Sequence, residues 1–137
     1  MNQFPSKNYF TLPNEIFSLR LGAGEIAVYA YLRCLENPST YQCWPSYATI
    51  GKAIGRTKNT VMQYVDALSE KGLISTEPTS VLTKSRIKKN GNLRYTIKPI
   101  HEAVEIFHAR QLSAVERAAE RQRVQRKLSA MDMPPGA

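Results

Sequence analysis

Apolar positions recur along the chain with two different periods. The segment after Gly22, AGEIAVYAYLRCLE, is apolar nearly all round, which predicts a helix at the centre of a domain. Gly22 stands at its N-cap with Glu25 three residues on, where a capping box puts its carboxylate, and Asn37-Pro38 stops the helix near Glu36. Upstream, Phe10 to Pro13 reads as an extended lead, and PNEIFSL as a brief turn ending near Leu19. Residues 38–45 read as a loop. Ser46 then caps a short helix over 47–54, with Ile50 and Ile54 one turn apart and Gly55 as its stop. Thr57 caps the next helix, where Val61, Tyr64, Val65 and Leu68 form one apolar stripe before Lys71-Gly72 closes it.

Beyond Gly72 the period shortens towards two. LISTEPTSVL and LRYTIKP read as antiparallel strands around a basic turn region, TKSRIKKNGN. Asn90-Gly91 is a strong hairpin dipeptide, and a turn near Lys84-Ser85 fits equally. Pro99 opens a last helix with Ile100, Val104, Phe107, Leu112, Val115 and Ala119 on a broad face, after which ERQRVQRKL is almost all polar. Two helices joined by a short turn containing glycine make a helix-turn-helix unit, and a hairpin behind them makes it winged. The expected fold is mainly α with a small antiparallel β-hairpin. It divides into a winged helix-turn-helix domain over 8–100, a C-terminal helix over 101–130 and a disordered tail over 131–137. The last helix either folds back on the domain or pairs with a second copy through Val104, Phe107, Leu112 and Val115.

Charge sharpens this picture by its position. Of the formal +8, residues 1–55 carry +1 (four basic, three acidic), 56–98 carry +6 (nine and three) and 99–137 carry +1 (six and five). A field confined to the second helix of the unit and its hairpin suits a polyanion. In such a unit the second helix enters the DNA major groove leading with its N-terminal residues. Asn59 and Gln63 lie opposite the Val61 stripe, and each amide can pair bidentately with an adenine edge. Arg56, Thr57, Lys58 and Thr60 crowd the first turn, where they hold phosphate or reach guanine beside the positive end of the helix dipole. Asp66 and Glu70 repel phosphate and are expected beyond the groove or facing solvent. Ser46 and Tyr47 open the helix that crosses the backbone and are candidate phosphate contacts, with a core position as the alternative for Tyr47. Lys84, Arg86, Lys88, Lys89 and Arg94 belong to the wing, with no acid between Pro78 and Lys98. The polar end of the last helix has three readings: solvated helix, further DNA contact or the start of disorder.

Other chemistries lack their residues. Cys34 and Cys43 match no zinc spacing and are expected as idle thiols rather than a disulfide. His101, Glu105 and His108 share a helix face, but the two histidines are two turns apart, too far for one compact metal site. Gly22 to Ala27 fits G-x-G-x-x-A, yet no βαβ unit surrounds it. No hydrolase motif or paired buried carboxylates are visible, so neither an enzyme nor a cofactor is expected. The longest apolar run, IAVYAYL, falls short of the ~20 residues of a membrane span, and the N-terminus has no signal pattern. A soluble cytoplasmic protein follows as the expectation.

NYFTLPNEIFSL, GAGEIAVYAYL and above all WPSYATIGKAIGRTKNTVMQYVDALSEKGLI resemble winged helix-turn-helix domains of plasmids, phages and conjugative transposons of Gram-positive bacteria. These occur as stand-alone regulators and as N-terminal domains of replication initiators. The resemblance spans about residues 8–100. It implies double-stranded DNA binding through Thr57, Lys58, Asn59, Thr60, Gln63 and the wing. The chain departs from such sequences at Gly22, where they tend to carry a serine cap, and at Met62-Gln63, where they often place another basic residue. The leading expectation is a sequence-specific DNA-binding transcriptional regulator in a bacterial cell, working as a homodimer and without a small-molecule ligand. A replication or mobile-element accessory factor is the alternative, and a protein- or RNA-binding winged helix a more distant one.

Overall fold

The computed structural model describes residues 8–82 and 88–131. A 3-10 turn over Asn14–Ser18 leads into helices α1 (Ala23–Leu35), α2 (Tyr47–Ile54), α3 (Lys58–Glu70) and α4 (Ile100–Met131). Among the described residues the short strands are β1 (Gln42–Cys43), β2 (Ile74–Glu77), β3 (Ser80–Leu82), β4 (Lys88–Asn90) and β5 (Arg94–Ile97). The architecture is mainly helical, with a three-stranded antiparallel sheet in the order β1-β5-β2 and a hairpin β3-β4 extending it. It is a winged helix-turn-helix with a long C-terminal helix.

The apolar face of each element meets one core. Val28, Tyr29 and Leu32 of α1, Ile50 of α2 and Val61, Val65 and Leu68 of α3 are buried together. Leu73 and Ile74 at the start of β2, and Tyr95 and Ile97 of β5, close it from the sheet side. Alternation along β5 turns Tyr95 and Ile97 inward. Ends are fixed as the side chains dictate. Glu25 accepts the Gly22 N–H at 3.4 Å and pairs with Lys71 Nζ at 2.9 Å, tying the start of α1 to the end of α3. Gly24 answers the nucleotide-binding pattern: it lies inside α1 where a Cβ would stand 2.1 Å from the Tyr64 ring, so its smallness serves helix packing.

Three features differ from the sequence expectation or settle it. Residues 38–45 contain strand β1, which pairs Gln42 with Thr96 and Cys43 with Tyr95. A turn built on Asn37 returns the chain to this position, its side-chain oxygen accepting the Ser39 N–H at 2.8 Å and its backbone N–H donating to Gln42 O at 2.9 Å. Secondly, the alternative turn near Lys84-Ser85 lies outside the described residues, but Leu82 pairs with Lys88 in antiparallel register, so Asn90-Gly91 forms no hairpin turn. There Pro78 and Thr79 face Gly91, Asn92 and Leu93, a bulge between the Glu77–Arg94 and Ser80–Asn90 pairs. Pro78 lacks the N–H that a continuous ladder needs. Thirdly, ERQRVQRKL is helical, as α4 runs on to Met131. The remainder of the expected disordered tail, 132–137, lies outside the described residues.

Both cysteines are free, and Cys43 is buried with its thiol over Leu32 O. Burial pushes the Cys43 thiol up to about 12, and also raises the Tyr29 and Tyr95 phenols. Each of these acids holds its proton more tightly folded than unfolded. The stability they add is complete below about pH 9, the ordinary thiol value, and is lost as pH rises through the folded values. Urea unfolding is expected to show a lower midpoint at about pH 10.5 than at about pH 7.5. Equal midpoints would contradict the burial of these groups.

Candidate nucleic-acid interface

The α2–α3 corner is built by two caps and one glycine. Ser46 Oγ accepts the Thr49 N–H at 3.0 Å and shares a 2.9 Å hydrogen bond with Thr49 Oγ1, starting α2. Gly55, at φ 73°, stops α2 with its N–H on Gly51 O at 2.8 Å, and the Arg56 N–H reaches the same carbonyl at 2.9 Å. Thr57 Oγ1 then accepts the Thr60 N–H at 3.4 Å and donates to Thr60 Oγ1 at 3.0 Å, starting α3. Val61, Val65 and Leu68 seat α3, so its opposite face is turned outward by helical geometry.

That outward face carries Asn59 and Gln63, both exposed, while Lys58 is exposed at the first residue of the helix, with Arg56 beside it and its Nη1 donating to Gly55 O at 3.0 Å. The two amides are one turn apart and the two cations flank the helix tip, so donors, acceptors and positive charge share one surface. Thr57 and Thr60 spend their hydroxyls on the cap and brace this tip. Asp66 is exposed further along α3, and its charge helps raise the Tyr47 phenol, after the larger effect of burial. Glu70 is drawn away: Arg110 of α4 donates to its backbone carbonyl at 3.1 Å and stands 3.9 Å from its carboxylate.

The other candidates are placed differently. Ser46 is half-buried with its oxygen used as a cap, and Tyr47 is half-buried against the core. Arg94 pairs with Glu77 across β2 and β5. Lys88 and Lys89 stand on β4, and Lys84 and Arg86 lie outside the described residues. On α4, Ala103 is buried and Ile100, Val104 and Phe107 pack on the chain's own core, so the first turns fold back. Leu112 and Val115 stand 61% and 65% exposed. Two exposed side chains beside the interface have no counterpart in the sequence reading, Lys52 on α2 and Trp44 just before it. A lysine six residues after a helix cap and an aromatic two residues before it are signals too common to single out. Among the described residues no group of histidine, cysteine and acidic side chains converges on a metal position, and no helix is long and apolar enough to cross a membrane.

Residues 19–74, from the end of the 3-10 turn through α3 to the first residue of β2, match the family described as a helix-turn-helix domain. No curated sequence is significantly similar to the chain. Among solved structures, a possible transcriptional regulator from Methanosarcina mazei Go1 superimposes with a TM-score of 0.52 at 13% identity, over 85% of this chain and 97% of that one. A MepR variant from S. aureus bound to an oligodeoxyribonucleotide gives 0.45 at 17% identity, over 85% and 81%. A MarR-family transcriptional regulator from Silicibacter pomeroyi gives 0.40 at 18% identity, over 85% and 74%. The first of these likenesses shows the winged helix-turn-helix fold.

Proposed function

We propose that this protein is a sequence-specific double-stranded DNA-binding protein acting as a transcriptional regulator, with no catalytic activity of its own. The observation that carries the reading is the division of α3. Its buried line of Val61, Val65 and Leu68 fixes the helix on the domain, while Lys58, Asn59 and Gln63 stand exposed at its N-terminal end. A helix held in this way presents polar side chains at the depth of a major groove. Lys58, Arg56 and the wing lysines Lys88 and Lys89 supply the phosphate contacts that fix register, and the two amides read base edges. Selection from a random duplex pool tests the reading: enrichment of one sequence family is expected, with a log–log salt slope of about −5 for roughly six neutralised phosphates. Equal, weak affinity for every duplex at low salt would overturn it.

The reading includes a homodimer formed by α4. About two and a half turns separate Ala103 from Leu112, so Leu112 points away from the domain that buries Ala103. Everything beyond Gln111 to Met131 is exposed, so this half of the helix has no partner within the described residues. Truncation after Gln111 keeps the docked turns and is expected to yield a folded monomer, whereas the whole chain sediments as a dimer. An identical sedimentation mass per chain for both forms excludes this role for α4.

A further inference from the structure

Trp44 is the chain's one tryptophan, and it stands 49% exposed although an indole is ordinarily a large contributor to a core. Cys43 before it is buried towards the core, so the extended chain turns Trp44 to the other side. One flank of the residue borders an open hollow of about 380 Å³, shared with Leu35, Asn37, Gln42 and Pro45.

Its backbone is nonetheless anchored. Asn92 Nδ2 donates to Trp44 O at 3.1 Å. Asn92 belongs to the wing bulge, where the Gly91 N–H donates to Thr79 O at 2.8 Å and Thr79 Oγ1 donates to Asn92 O. Two residues after Trp44, Ser46 caps α2. Trp44 is therefore the joint between the root of the wing and the first helix of the helix-turn-helix, the two elements that flank α3. No acidic residue occurs between Glu36 and Asp66, so no carboxylate in that stretch opposes an anion here.

We propose that Trp44 contacts the sugar–phosphate backbone of double-stranded DNA, its ring lying on a deoxyribose and its Nε1–H donating to a phosphate, while Asn92 holds the wing in register with it. The proposal rests on the DNA-binding reading above. An indole suits this occupant because it joins an apolar face to a donor with no acceptor capacity, matching an apolar sugar beside an anion. A backbone contact carries no base information, so the effect is the same on any duplex.

The test uses the whole chain and a labelled, mixed-sequence duplex of about 30 base pairs at low salt. Duplex anisotropy reports binding, and Trp44 emission with acrylamide quenching reports the ring. Binding accompanied by a shifted emission and protection from acrylamide is expected. Trp44→Ala is expected to weaken binding about tenfold, the size of one hydrogen bond to a charged group. Trp44→Phe, which keeps the ring and loses the donor, falls between, and Asn92→Ala reduces the protection. Binding that leaves emission and quenching unchanged overturns the role of Trp44 and leaves the DNA reading standing. Loss of binding at every salt concentration overturns both. Protection that grows with protein concentration before any duplex is added assigns the surface to a second copy and refutes the proposal. Should Trp44→Ala also lower the melting temperature, the fluorescence of the unaltered protein decides.

Discussion

Asn59→Ala combined with Gln63→Ala is expected to bring the affinity for the selected duplex to within a few-fold of that for unrelated duplex, with the latter unchanged. Both side chains are exposed and lie one turn apart on the face of α3 opposite Val61, Val65 and Leu68. A bidentate amide–adenine pair discriminates by about 1–3 kcal/mol, so each single substitution is expected to cost roughly 5- to 150-fold in specificity. Because the two are neighbours, the double variant need not equal the product of the singles. Lys58→Ala is the contrast: it removes a phosphate contact, weakens binding to all duplexes alike and flattens the salt slope by about one. The core face of α3 is untouched in all three, so thermal unfolding should not move. Retention of the full specificity gap in the double variant would place the base-reading surface elsewhere.

Gly51→Ala is expected to destabilise the domain by about 2–3 kcal/mol, against the ordinary sign of the exchange. Within a helix, alanine is normally favoured over glycine by roughly 1 kcal/mol. At Gly51 the added Cβ would stand 2.5 Å from Arg56 O, a backbone atom of the turn between α2 and α3. The same residue's carbonyl receives both the Gly55 and the Arg56 N–H groups, so α2 cannot shift without opening that turn. Val61 also lies 3.7 Å from the Cβ position. Chemical denaturation of the variant reads the sign directly, and a stabilised variant would show that the corner is looser than this geometry. Because the turn sets Thr57 and hence the direction in which Lys58 and Asn59 leave the domain, DNA affinity should fall in proportion to what the corner loses.

Much of the fold was legible because its determinants are local. Ser46, Thr57, Gly55 and Gly72 punctuate the chain within a turn of the helices they bound, and the 3.6-residue stripe of α3 names its own buried face. The outward position of Asn59 and Gln63 follows from that stripe, whereas Lys58 is exposed because it is the first residue of the helix. Strand β1 was not legible, because two residues show no period and form a strand only when the Asn37 turn delivers them to β5. The wing turn was ambiguous for a similar reason. Asn90-Gly91 has the local chemistry of a hairpin, yet cross-strand register pairs Asn90 with Ser80 and puts Gly91 in the bulge.

The sequence by itself determined the helices, their caps, strand character over LISTEPTSVL and LRYTIKP and the concentration of charge on residues 56–98, but not β4, which lies in the segment expected as a turn. The tertiary structure alone decided which charged and apolar groups remain available. It paired Arg94 with Glu77 and Glu70 with Arg110, turned Tyr47 inward, and divided α4 into a docked half and an exposed half. The physical reason is range. Periodicity and capping are settled among residues about three or four apart, whereas an ion pair or a docked helix face depends on partners tens of positions away, which only the folded chain brings together.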